Sequence, residues 1–294
     1  MAYTLSNGVL TVEIAETGAY SGTRFDWTGF ITQVTLEKGK HTFCVPESTV
    51  PGYGSGGIGL CNEFGISRAI GYDGAAAGEW FPKPGVGLLQ KISDEPYSFN
   101  GTYPLIPFHI SEEVIGHSVT YIVQPMECRG YSMLLTKTIA LHEDRLNISY
   151  TLENRGSKAL HTEEYIHNFI GINGNPTGAG YTLRLPGEAG IKDPESSFTA
   201  ELLNSSGDTI TWNNEPDRPF YCKVTGWEKQ GADFYWELVH QPSGAGIRES
   251  GNFAAERMAL WGERHVISPE VFADISILPR HSKHWRRSYH FFAL

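Results

Sequence analysis

The chain has 294 residues, with 23 Lys or Arg against 33 Asp or Glu, for a formal net charge of −10. Nucleic-acid binding relies on a cationic surface that displaces counterions from phosphates, and an acidic membrane or polyanion is repelled by the same balance, so no nucleic-acid or membrane partner is expected. The 40% apolar content supports a large core, and β-sandwiches of this length occur as one unit, so a single domain over residues 1–294 is expected.

From the beginning of the chain, MAYTLSNGVLTVEIAETG contains no basic segment followed by an apolar one, and no apolar run nears the ~20 residues of a membrane helix. Leu10, Val12 and Ile14 alternate with Thr11 and Glu13 behind a turn-forming Asn7-Gly8, which predicts a strand. Residues 45–60, VPESTVPGYGSGGIGL, read as a loop whose glycines permit close backbone approach. No helical periodicity follows, so this is not the GxGxxG dinucleotide fingerprint. The segments after it supply Asn62, Glu63, Arg68, Trp80 and Lys83, side chains suited to gripping hydroxyls and stacking on a sugar ring. Residues 119–154 read as successive strands joined by ECRG and HEDR turns. A second loop-rich stretch covers 190–219. No segment keeps a long 3.6-residue apolar face, so helices should be few, short and peripheral. The fold class expected is all-β, a large antiparallel β-sandwich. Cys44, Cys61, Cys128 and Cys222 are scattered without a CxxC pair, which predicts single buried thiols in a reducing, cytoplasmic setting.

Two segments concentrate chemistry. HTEEYIHNFIGIN (161–173) places His161, Glu163, Glu164, His167 and Asn168 within eight positions. On a strand these divide between two faces, so both carry polar groups, as expected of a strand that ends at a ligand pocket. MALWGERHVISPEVFADISILP contains Glu270 among apolar neighbours, where desolvation raises a carboxyl pKa towards general acid–base use. Trp261 in the same segment is a candidate pocket wall. A metal site built from His161, Glu163 and His167 would take three ligands from one strand at two- and four-residue spacing, which is geometrically awkward. A glycosidase would need a carboxylate pair, for which Glu270 with Glu163 or Glu164 are the candidates.

Taken together, the chain resembles the galactose mutarotase-like (aldose 1-epimerase) superfamily in its order of segments. YTLENRGSKALHTEEYIHNFIGI is similar to the family block leading to a His-x-Phe element, which places His167 at the catalytic histidine. HQPSGAGIRES…MALWGERHVISPE resembles the turn and strand bearing the catalytic glutamate, here Glu270. SGGIGLCNEFGI is similar to the glycine-rich segment that ends in sugar-contacting residues, and ILPRHS…YHF to the closing motif, with Arg280 where glycine is usual. The resemblance implies a supersandwich fold and interconversion of sugar anomers without metal or organic cofactor. Glu270 would act as base on the anomeric hydroxyl and protonated His167 as acid on the ring oxygen. Asn62, Glu63, Arg68, Trp80, Lys83, His161, Glu164 and Trp261 would bind a small or oligomeric sugar. EWFPKPG lacks the additional pocket histidine of many mutarotases and offers Lys83 instead. Ser55 stands where hexose-6-phosphate mutarotases carry arginine, which favours an unphosphorylated aldose. A non-catalytic sugar-binding or sugar-sensing domain is the alternative; nothing in the sequence sets an oligomeric state.

Overall fold

The computed structural model describes residues 3–227 and 234–294. Strands that alternate apolar and polar side chains have one face to bury, and two sheets of them can bury those faces against each other. Here two ten-stranded sheets do so. The first runs from Tyr3–Ser6 and Leu10–Ile14 through Ile31–Leu36, Leu60–Phe64, Leu160–Asn168, Val266–Ile277, Ala255–Glu263 and Phe220–Thr225 to Gly190–Lys192, with His41–Thr42 beside Ile31–Leu36. The second centres on Ala245–Gly251, Ser282–Ala293, Arg145–Asn154 and Met133–His142. A small third sheet joins Trp80–Lys83, Gly87–Gln90 and Leu105–Pro107. The fold is the antiparallel β-sandwich expected.

The turns follow from local chemistry. Asn7 Oδ1 accepts the N–H groups of Val9 at 3.0 Å and Leu10 at 2.8 Å, closing the first hairpin. In the ECRG turn Arg129 and Gly130 both take positive φ, 56° and 87°, which suits the twist of a tight hairpin. Met133–His142 and Arg145–Asn154 pair over their whole length, from Met133↔Asn154 to His142↔Arg145. Residues 190–219 are more ordered than their composition suggested. They hold the strands Gly190–Lys192, Leu203–Ser206 and Thr209–Trp212, and the one α-helix among the described residues, Ser197–Leu202. That helix is capped by Ser196, whose Oγ accepts from the Thr199 N–H, and it is anchored by buried Thr199 and Leu202. No helix among the described residues is long and apolar enough to cross a membrane.

Between the sheets the largely apolar core also holds buried charged groups, of which one cluster joins the two sheets. Arg287, fully buried on Ser282–Ala293, pairs with Glu164 at 2.8 Å and Glu249 at 2.6 Å. Glu164 also accepts from Asn62 Nδ2 at 2.5 Å and Trp285 Nε1 at 3.1 Å, and Glu249 from Trp236 Nε1 at 2.8 Å. These bonds tie the centre of the first sheet to the second, and they fix which face of Leu160–Asn168 looks inward.

Candidate active site

Because Glu164 and Asn168 point between the sheets, alternation puts Tyr165 and His167 on the outer face of the first sheet. The neighbouring strands add to that face. Glu63 lies opposite Tyr165 and Cys61 opposite His167. On the other side the register Leu160↔Ile277 to Glu164↔Ala273, continued along the strand, brings Glu270 level with His167. Ser268 lies opposite Trp261, and Trp261 opposite Tyr221. A cavity of about 600 Å³ opens over this face. Tyr165, His167, Tyr221, Trp261 and Glu270 form its floor, and residues 22–24, Glu47, Ser55 and 99–101 form its loop-borne walls.

His167 and Glu270 meet directly, Nε2 to Oε1 at 3.3 Å. Ser268 Oγ lies 2.9 Å from His167 Nδ1 and donates to Glu270 Oε1 at 3.1 Å. The imidazole stacks on Phe169 with centroids 4.1 Å apart and stands edge-on to Trp261 at 5.0 Å. Burial pushes the Glu270 carboxyl up to about 8, against a smaller downward pull from Arg24. Burial, assisted by Arg24, takes His167 well below its ordinary 6.5. Desolvation disfavours each charged form, so at neutral pH the pair holds one proton, on Glu270, beside a neutral imidazole.

Arg24, a lining side chain that the sequence reading did not single out, makes the densest set of contacts in the cavity wall. Its Nε donates to Glu63 at 3.0 Å, Nη1 to Ser55 at 2.7 Å and Nη2 to Tyr165 Oη at 3.2 Å, while its planar head lies 4.7 Å from each of the Phe25 and Phe99 ring centroids. Tyr165 Oη in turn donates to Glu63 at 2.7 Å. Lys83, buried, sits 3.5 Å from Glu63 Oε1 and donates to Tyr97 Oη at 2.8 Å. Burial lowers its pKa and the Glu63 carboxylate opposes that shift. Arg24 is therefore a nearly neutralised guanidinium whose remaining donors are presented to the cavity wall.

Of the sequence-predicted site residues, the fold brings His167, Glu270 and Trp261 together on the cavity floor. Glu63 and Lys83 lie behind Arg24 and do not line the cavity. Asn62 and Glu164 belong to the buried link between the sheets. Arg68 and His161 line a separate shallow depression, where Arg68 is held by Glu256 at 3.0 Å and Asp274 at 2.8 Å. Trp80 sits in the three-stranded sheet. Glu163, which with His161 and His167 made up the metal set considered, bonds to Ser67 and Arg257. No cluster of three metal-ligating side chains occurs among the described residues.

No protein-family model matches the chain, and no curated protein matches it. Solved structures do. A putative aldose 1-epimerase from Escherichia coli K12 superposes over 100% of this chain and 99% of its own with a TM-score of 0.62 at 11% identity. An aldose epimerase homologue from Caenorhabditis elegans gives 0.62 at 12% identity over 100% and 99% of the two chains. The chain has the galactose mutarotase-like fold. A galactose mutarotase-related enzyme from Lactobacillus acidophilus, at 10% identity and a TM-score of 0.60, shares it over 100% of this chain and 98% of its own. In this mutarotase-like sandwich the cavity lies over the centre of the first sheet, and the paired His167 and Glu270 are on its floor.

Proposed function

We propose that the protein is an aldose 1-epimerase-like isomerase that interconverts the α and β anomers of an unphosphorylated aldose. The observation that carries this reading is the direct His167–Glu270 contact on the floor of a cavity also lined by Tyr20, Phe99, Tyr221 and Trp261. Apolar walls with a few convergent polar groups suit a sugar, and an imidazole and a carboxyl in contact, able to pass a proton between them, suit hemiacetal opening. Arg24, already countered by Glu63, is matched to hydroxyls better than to an anion.

In the reaction, sugar hydroxyls entering the dry site favour the ionic form of the pair, and the Glu270 proton crosses to His167 Nε2. The Glu270 carboxylate then takes the anomeric O1 proton while His167 gives its proton to the ring oxygen. The C1–O5 bond breaks to give the open aldehyde, the C1–C2 bond rotates, and reclosure on the other face returns both protons. Each proton transfer contributes about 10²–10⁴-fold.

Freshly dissolved α-anomers of several aldoses, followed by optical rotation, test the reading. The protein should speed the change, and His167→Ala and Glu270→Gln should each abolish about 10²–10⁴ of the acceleration. The second reading, a sugar-binding domain without catalysis, draws on the acid and base facing each other at 3.3 Å instead of being spaced to flank a sugar ring. Calorimetric binding of an aldose without faster rotation selects it.

A further inference from the structure

Ser268 is fully buried, lies two residues before Glu270 on Val266–Ile277, and makes more polar contacts than a core serine requires. The Asn168 backbone N–H donates to its Oγ at 3.0 Å. That bond is explained by the strand. The ladder with Leu160–Asn168 runs from Leu160↔Ile277 to Glu164↔Ala273, and Pro269, next to Ser268, has no N–H of its own to contribute to a ladder. A hydroxyl there gives Asn168 the acceptor that a backbone carbonyl would otherwise supply.

The two remaining contacts have no such structural explanation. A serine oxygen has two lone pairs and one proton. One lone pair takes the Asn168 N–H, leaving one lone pair and one proton for His167 Nδ1 at 2.9 Å and Glu270 Oε1 at 3.1 Å. If the hydroxyl donated to Nδ1, its other lone pair would face Glu270 Oε1, and the Glu270 proton would have to point at the serine instead of at His167 Nε2, 3.3 Å away. If it donates to Glu270, every group is matched provided that Nδ1 carries a hydrogen. The hydroxyl thereby leaves Nε2 as the nitrogen that meets Glu270 and the cavity.

We infer that Ser268 is the positioning residue of the pair, fixing His167 as the Nδ1–H tautomer so that Nε2 is the nitrogen that exchanges a proton with Glu270. The inference rests on the epimerase reading for its catalytic consequence, but the tautomer itself does not. The arrangement has the logic of a base oriented by a third group, with a neutral hydroxyl where other enzymes use a carboxylate. The same hydroxyl donates to the carboxylate that forms when the proton leaves Glu270, so it supports both protonation patterns without turning.

The test is ¹⁵N NMR of the His167 ring at about pH 6, assigned by the loss of signals in His167→Ala, on wild type, Ser268→Ala, Ser268→Thr and the nearly isosteric Ser268→Cys. Wild type and Ser268→Thr should show a protonated Nδ1 and an unprotonated Nε2. Ser268→Ala and Ser268→Cys should lose that pattern, and Ser268→Cys serves if the alanine variant does not fold. In rotation assays both should lower kcat by about 10- to 100-fold with little change in KM, and Ser268→Thr should restore it. An unchanged tautomer in Ser268→Ala or Ser268→Cys overturns the inference and leaves the hydroxyl as the acceptor for Asn168 alone. A wild-type protein that fails to speed rotation yet shows the serine-dependent tautomer overturns the epimerase reading and supports the positioning role.

Discussion

Arg24 is tied to Glu63, Ser55 and Tyr165 at once, which only a planar fork with several N–H groups can do. Arg24→Lys keeps the charge but loses the fork. We expect KM for the preferred aldose to rise by about 10-fold or more while kcat changes less, since a hydrogen bond to a charged group is worth about 1.5–3 kcal/mol; steady-state rotation assays separate the two. Glu270 has its own asymmetry. Oε1 is engaged by His167 and Ser268, whereas Oε2 has no hydrogen-bond partner among the described residues and on the proposed reading is the oxygen left to face a sugar. Arg280, on the closing loop, adopts φ of 65°, the left-handed region that favours glycine, and it is the position where the resembling family usually carries one.

Leu160–Asn168 has two working faces, one on the cavity and one on the buried Arg287 link, and this explains its density of polar residues. A slip of one residue would turn His167 inward and Glu164 outward, so the buried pairs hold the strand in register. Arg287→Ala should destabilise the fold by about 3–5 kcal/mol, because it leaves Glu164 and Glu249 buried without their cation; urea unfolding measures this. The alternation that predicted Leu10–Ile14 and Arg145–Asn154 as strands is a local signal, and so could be read from the sequence. The same alternation could have separated Glu164 from His167, since residues three apart on a strand face opposite ways, and Asn62 from Glu63 likewise. His161 does share a face with His167, but six residues of strand place it about 20 Å away. Arg24 left no trace because its partners lie 39 and 141 positions along the chain and its own segment, TRFDWTG, has no periodicity to mark a wall.

For the molecule as a whole the buried pair links stability to pH. Just below 6.5 the folded pair holds one proton, on Glu270, and the unfolded chain also holds one, on His167, so the pair adds little slope there. Above 6.5 the unfolded histidine loses its proton while folded Glu270 keeps its own up to about 8. Stability should therefore fall by about 2 kcal/mol over that interval. Urea melts at pH 6 and pH 8 should show the decline in wild type and lose this part of it in Glu270→Gln. Activity should fall in step above pH 8, as the pair gives up the proton it exchanges. The cavity itself divides by origin. Its reactive groups are borne on central strands locked from below, whereas Arg24, Glu47, Ser55 and Phe99 come from connecting segments. On the proposed reading, remodelling those segments would exchange one sugar for another while the His167–Glu270 pair beneath stayed untouched, diversifying what is accepted without altering the chemistry.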